Sequence, residues 1–279
     1  MRILITGAGG RVGQQLVRAL ALHTVFAFKH EELDIIDVRL LLSTVSRLMP
    51  RVVIHCAALT DTTLCEQDPD LAYRINGLGA RNVAIACQRT GAAMCYISTN
   101  EVFDGRKGEP YFEWDQPNPV NAYGRSKLVG EQYVRELLPA HYIVRTAWVY
   151  GHGSAKHFPA KVLKLAETTA ELKMVTDEVA TPTSAYDLAD AIAKLVLEPF
   201  YGTYHLTNDG QCSRLEWAQE VLRLADRKVR LTPIRLEEYA GGPPKPPYTV
   251  LRNFAAAVFP GITLRSWQEA LADFFKHGG

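Results

Sequence analysis

A short apolar run at residues 3–6 breaks directly into Gly7-Ala-Gly-Gly10-Arg-Val-Gly13 and then into helical periodicity over 11–22. No other feature limits the fold of this chain as much. A strand that passes through glycines into a helix opens a βαβ unit. The glycines permit a tight turn and let backbone N–H groups approach an anion at the helix N-terminus. The spacing is Gly-x-x-Gly-x-x-Gly rather than Gly-x-Gly-x-x-Gly, with Gly9 adding further freedom.

The same rhythm continues to residue 150. Apolar runs at 24–28, 52–55, 94–98 and 141–145 alternate with helical periodicity over 38–48, 71–89 and 123–138. Short apolar runs separated by helices predict parallel strands buried on both faces. Right-handed crossovers then make a doubly wound sheet, whose ligands lie at the carboxyl ends of the strands. Gly7, Ala57, Ala58, Thr99 and Trp148 each follow a strand candidate, so they are expected to line one crevice. Beyond Gly151 the rhythm loosens. Helices are expected over 157–167, 184–198, 213–225 and 264–275, and strands over 173–175 and 202–206. Gly241-Gly-Pro-Pro-Lys-Pro-Pro247 reads as a stiff, extended loop. The expected class is α/β. An NAD(P)-binding Rossmann-type sheet would span 1–150, rejoined by about 184–200. A smaller C-terminal substrate-binding domain would span 151–279.

Composition narrows the partners. Lys and Arg total 31 against 30 Asp and Glu, a net charge of +1. That balance provides no broad basic face for nucleic acid or an anionic membrane. The five cysteines are odd in number and scattered, without a C-x-x-C pair, so neither a disulfide framework nor a zinc site is indicated. A reducing cytoplasm suits such a chain. The first apolar run is too short for a signal segment, and no stretch reaches membrane-spanning length. The expectation is a cytoplasmic monomer or homodimer.

Two sets of residues carry chemistry. Gly7, Gly10, Arg11 and Val12 would cradle a dinucleotide pyrophosphate. Lys29 and His30 end the second strand, where a basic residue suits a 2′-phosphate, so NADP(H) is favoured; Glu31 and Glu32 follow, and NADH stays open. Asp34 and Ile35, after a short third strand, would flank the adenine. Ala57 and Ala58 would let backbone press against the cofactor. At the other end, Tyr123-Gly-Arg-Ser-Lys127 puts a phenol and an ammonium on one helix face. A neighbouring cation favours the phenolate, which would ease proton donation by Tyr123. Thr99 would donate a hydrogen bond to a carbonyl oxygen gaining negative charge. The combination points to a carbonyl reductase.

These residues resemble the extended short-chain dehydrogenase/reductases, and within them the dTDP-4-dehydrorhamnose reductase family. The likeness runs nearly end to end. It rests on Thr60-Asp61 to Asp68-Pro69, Ala72-Tyr-Arg-Ile-Asn76, Ile97-Ser-Thr99, Val102-Phe-Asp-Gly105, Tyr123 with Lys127, and Arg145-Thr-Ala-Trp-Val-Tyr-Gly151. Thr181-Pro-Thr183, Asp187-Leu-Ala189 and Gly202-Thr-Tyr-His205 add to it. The resemblance implies NADPH-dependent reduction of the C4 ketone of dTDP-4-dehydro-L-rhamnose. It implies cofactor contacts from Gly10, Arg11, Val12, Asp34, Ile35, Ala58 and Thr60, with Lys127 holding ribose hydroxyls. Asn100, Glu101 and Trp148 fall at substrate positions. The family usually has Asp-Tyr where this chain has Asn100-Glu101, so a ring is replaced by a carboxylate that either faces the ligand or turns to solvent. Lys245 stands in for an arginine, His157 for an asparagine, and Gln15 for a metal-bridging glutamate, so no metal is carried over. Two alternatives stand beside the reductase. One is a silent NADP-binding regulatory subunit like the β subunit of methionine adenosyltransferase. The other is a reductase or epimerase of a different nucleotide sugar.

Overall fold

The structure is a computed structural model that describes residues 1–153, 157–239, 242–259 and 261–278. Its first half reads β1 (Arg2–Thr6), α1 (Arg11–Ala19), β2 (Thr24–Phe28), α2 (Val38–Leu48), β3 (Val52–His55), α3 (Thr62–Gln67), α4 (Pro69–Ala72), α5 (Gly79–Thr90), β4 (Ala93–Thr99), α6 (Ala122–Leu137) and β5 (His141–Thr146). There follow β6 (Val149–Tyr150), α7 (Phe158–Ala166), β7 (Glu171–Val175), β8 (Val179–Ala180), β9 (Thr183–Ser184), α8 (Ala185–Leu195) and β10 (Gly202–His205). The chain closes with β11 (Cys212–Ser213), α9 (Arg214–Leu224), β12 (Arg230–Ile234), α10 (Phe254–Ala257) and α11 (Trp267–Lys276).

Six strands form one sheet in the order β10-β5-β4-β3-β1-β2, each neighbouring pair parallel. Strand β3 is buried at every position and β4 at all but one, and both are largely apolar until their carboxyl ends, where His55, Ser98 and Thr99 stand. On one face α1 and α8 pack Leu16, Leu20, Leu188, Ile192 and Leu195 against Ile3, Ile5 and Ile54. On the other, α2, α5 and α6 pack Leu41, Val45, Val83 and Val134 against Leu4, Val53 and Met94. The strand order reverses between β1 and β3 on one side and β2 on the other, so the carboxyl ends leave a crevice beside the β1 glycines. After β7 the chain returns through α8 and β10 to the central sheet, with Gly202 opposite Tyr142. A separate apolar cluster of Tyr150, Val162, Trp217, Trp267 and Phe274 joins α7, α9 and α11 above the strand ends. No described helix is long and apolar enough to cross a membrane.

The element pattern departs from the sequence reading in the short strands β6, β8, β9, β11 and β12, which were not expected, and at three further places. No strand lies between β2 and Asp34. Its carboxylate accepts from Ile36 N at 2.9 Å, while Glu32 accepts from Lys29 N at 2.8 Å. These side chains satisfy the backbone locally, which favours turns over a ladder. The single helix expected over 71–89 is interrupted by a π-helical turn, Tyr73–Leu78. At its centre buried Asn76 takes Leu59 N (2.8 Å) and donates to Leu59 O (3.0 Å), and the wider turn points that amide at the neighbouring loop. The last helix starts at Trp267 rather than 264 because Ser266 and Glu269 form a reciprocal cap. Gly241 of the proline-rich loop lies outside the described residues.

Candidate active site

The glycine turn is built for close backbone contact. Gly7 has φ +69°, and a Cβ there would sit 2.5 Å from Ala57 N. A Cβ on Gly13 would sit 2.5 Å from Gly7 O. Helix α1 then begins without a side-chain cap and without an acidic residue in its first turn. Its first turn faces a cleft of about 480 Å³ lined by Gly7, Gly10, Arg11, Val12, Ala58 and Thr60, among others. This donor set suits an anionic pyrophosphate, so the residues present fit a dinucleotide. Gly7→Ala is expected to cost about 1–3 kcal/mol of strain and to weaken dinucleotide binding. A thermal melt and a fluorescence titration with NADPH check both effects; unchanged values would contradict the packing.

The other cofactor candidates fall in different places. Lys29 is exposed, and its Cγ lies 3.5 Å from where a Gly9 Cβ would be, so its side chain lies over the turn. Asp34 spends its carboxylate on its own turn. The Ile35 side chain is buried in the α2/α5 core, with Cδ1 2.5 Å from where a Gly79 Cβ would be, and its carbonyl accepts from Asn82 (3.0 Å). Ala57 supplies the backbone beneath Gly7.

The chemical groups converge on the same cleft. Thr99 ends β4, and its side chain lines the cleft together with Tyr123. Helix α6 carries Tyr123 and Lys127 one turn apart, starting at Asn121, whose side chain caps Gly124 N at 2.8 Å. Lys127 is 2% exposed. Its Nζ donates to Ile97 O at 2.7 Å and lies 4.1 Å above the Tyr96 ring. Burial brings the ammonium down to about 7, despite the opposing charge of Glu131. The tyrosine behaves differently from the sequence expectation. Its pKa is raised rather than lowered, by burial first and then by the charge of Glu101, with the Thr99 hydroxyl opposing. The lysine is committed to a carbonyl and a ring, so the local field at the phenol comes from a carboxylate instead.

Glu101 faces inward. It lines the cleft with Tyr123, and Asn121 Nδ2 donates to its Oε2 at 2.7 Å. Asn100 is buried, and its Nδ2 donates to Thr249 Oγ1 at 2.6 Å. Trp148 holds φ +44°, a strained value for a bulky residue, and stacks on Trp217 at 5.4 Å.

These three residues also border a second cleft of about 420 Å³. Its polar side holds Arg214, Lys245, Lys161 and Lys173; its apolar side holds Trp148, Phe158, Trp217 and Tyr239. The Arg214 guanidinium lies 3.6 Å over the Trp148 ring and donates to Glu178 at 2.7 Å. Lys245 lies 3.5 Å from the same carboxylate. Burial opposes ionisation of Glu178, but Arg214 and Lys245 outweigh it, so its pKa falls.

Behind the site, α6 continues its face with Glu131, four residues after Lys127. Glu131 is fully buried and accepts from Ser98 (2.6 Å), twice from Arg145 (3.0 and 2.8 Å) and from Arg135 (2.9 Å). Sequence reasoning did not assign roles to Glu131, Asn121, Glu178 or Arg214. The i, i+4, i+8 spacing of Tyr123, Lys127 and Glu131 and the Asn at the helix start were legible signals for the first two. Arg214 meets Glu178 across 36 residues, and no local pattern marks that pair.

A parallel doubly wound sheet, an uncapped glycine turn and a converging Thr–Tyr–Lys set define a Rossmann-type oxidoreductase. Comparison with known proteins supports this class. The family model described as the RmlD substrate binding domain matches residues 1–278. A dTDP-4-dehydrorhamnose reductase of Clostridium acetobutylicum is 42% identical, covers 99% of both chains and superposes with a TM-score of 0.96. A dTDP-4-dehydrorhamnose reductase of Bacillus anthracis in complex with NADP is 38% identical, over 100% of this chain and 99% of that one, with a TM-score of 0.94. The spore coat polysaccharide biosynthesis protein SpsK of Bacillus subtilis is 39% identical over 99% of this chain and 97% of its own length. The chain belongs to the dTDP-4-dehydrorhamnose reductase family.

Proposed function

We propose that the chain uses NADPH to reduce the C4 ketone of a dTDP-4-keto-6-deoxy sugar, with dTDP-4-dehydro-L-rhamnose giving dTDP-L-rhamnose as the specific reaction. The observation that carries this is the convergence of Thr99, Tyr123 and buried Lys127 on the cleft that the glycine turn lines. The names of the solved relatives support the substrate, and the NADP complex of one supports the cofactor.

When bound, NADPH supplies the hydride for the ketone carbon. The turn from Gly7 to Val12 holds its pyrophosphate, and exposed Lys29, with Glu32 turned back onto its backbone, favours the 2′-phosphate. Tyr123 Oη transfers its proton to the ketone oxygen, and Thr99 Oγ1 donates to the same oxygen as charge builds there. Lys127 Nζ holds the ribose hydroxyls beside them. Glu131 and Arg145 keep Ser98, and with it Thr99, in place from below. In the second cleft Arg214 and Lys245 take the sugar-nucleotide phosphates, and the rings of Trp148, Phe158 and Trp217 pack on its flat parts. The Tyr150, Val162, Trp217 and Phe274 cluster then belongs to the substrate side, while α8, β10, Ala256 and Leu264 pack back on the cofactor side.

NADPH oxidation with enzymatically made dTDP-4-dehydrorhamnose tests the reading. Turnover, faster with NADPH than with NADH, is the expected result. Tight NADPH binding with no turnover of any 4-keto sugar nucleotide would reject it. Arg214→Ala is expected to raise KM for the sugar nucleotide about ten- to a hundredfold, through loss of charge-assisted hydrogen bonds, with a smaller change in kcat. A KM equal to that of the unaltered protein would place the phosphates elsewhere.

A further inference from the structure

We propose that Glu101 is a positioning residue for the proton on Tyr123: a carboxylate clamped against the first turn of α6 that holds the phenol in its donor form. This deepens the reductase reading and rests on it.

The clamp has three parts. Asn121 Nδ2 donates to Glu101 Oε2 at 2.7 Å, and the same nitrogen donates to Pro244 O at 2.9 Å. Glu101 N donates to Thr99 Oγ1 at 3.2 Å. The Glu101 carbonyl packs so closely on Gly124 that no Cβ fits there. Asn121 also caps the helix that carries Tyr123, so the carboxylate and the phenol share one fixed frame. Both line the same cleft. A negative charge beside a phenol disfavours phenolate, and a phenolate cannot give a proton to a ketone oxygen.

The surrounding charges do not erase this field. From α3, Cys65 faces the phenol. Glu66, also on α3, is committed to Ala122 N at 2.8 Å and lies 3.7 Å from Arg125. Lys127 on α6 is held by Ile97 O at 2.7 Å. Facing Glu101 are Glu178, Arg214 and Lys245, and the two cations are already paired with Glu178 at 2.7 and 3.5 Å. Burial raises the Glu101 pKa and Glu178 adds to that, while the Asn121 hydrogen bond, Arg214 and Lys245 oppose. The uncharged ring expected at this position from the family resemblance would supply no such field.

The experiment is the pH dependence of kcat for NADPH oxidation with dTDP-4-dehydrorhamnose, from neutral to alkaline pH, for the unaltered protein, E101Q and E101D. The alkaline limb, where activity falls as the donor proton is lost, is expected about 1 pH unit lower in E101Q, with E101D restoring it. Coincident limbs, whatever the change in kcat, overturn the inference, since a merely structural role alters the plateau and not its edge. If E101Q does not fold, Glu101→Ala removes the same charge without an amide to accommodate. Its limb is expected to move the same way, and an unmoved limb overturns the inference. An unaltered protein without turnover on any 4-keto sugar nucleotide removes the reductase reading and this inference with it. Turnover with coincident limbs removes the inference alone.

Discussion

Tyr123→Phe is expected to lower kcat for ketone reduction about 10²–10⁴-fold while leaving NADPH affinity and melting temperature close to those of the unaltered protein. The ring keeps its place in the cleft, and only Oη is lost. Thr99 Oγ1 retains Asn100 Oδ1 at 3.3 Å as an acceptor, so the change strands no buried hydroxyl. A fall confined to kcat and kcat/KM, with the thermal melt superimposed, marks an interaction used at the transition state. Rates that survive the substitution would mean that another group provides the proton, and Glu101 would be the next to test.

The second large effect is on stability. Glu131→Ala is expected to destabilise the protein by about 3–5 kcal/mol. Arg145 is 1% exposed, and its guanidinium would be left buried without its carboxylate. On a domain of this size that corresponds to a fall in melting temperature on the order of 10 °C. Replacing both partners, Glu131→Leu with Arg145→Met, should recover much of the loss, because no buried charge is then orphaned. The difference also depends on pH. Burial disfavours the Glu131 carboxylate, but Arg145 and Arg135 outweigh it and hold its pKa below the ordinary range. A group depressed in this way contributes stability above its unfolded pKa and loses it as pH falls through the lower folded value. The gap between the unaltered protein and Glu131→Ala should therefore be widest near neutrality and narrow in acid. A gap that widens on acidification would contradict the ion pair. Activity should fall with stability, since Ser98 bonds Glu131 and immediately precedes Thr99.

Much of the site is local in the chain and could be read there. The glycine turn follows β1 within one residue, and the structure keeps Gly7 and Gly13 where a Cβ would strike backbone. Tyr123 and Lys127 fall one turn apart on α6, as their spacing requires. Apolar runs buried on both faces became the parallel strands of the central sheet. The failures were local competitions that apolar periodicity does not record. Asp34 and Glu32 bind their own backbone and replace a strand with turns. Asn76 pulls a helix into a π turn to reach Leu59. The electrostatics at the phenol also reversed, because burial and Glu101 act on Tyr123 while Lys127 is committed to Ile97 O.

The sequence alone determined the strand–turn–helix order, the glycine turn at the start of α1 and the placement of Tyr123 and Lys127 one turn apart, because each depends on residues within one or two turns of each other. The direction taken by Glu101, the Arg214–Glu178 pair and the Glu131–Arg145 lock were decided only by tertiary structure. Those contacts join distant segments, and their worth is set by burial and by which charges end up facing each other, quantities that exist only once the layers have packed.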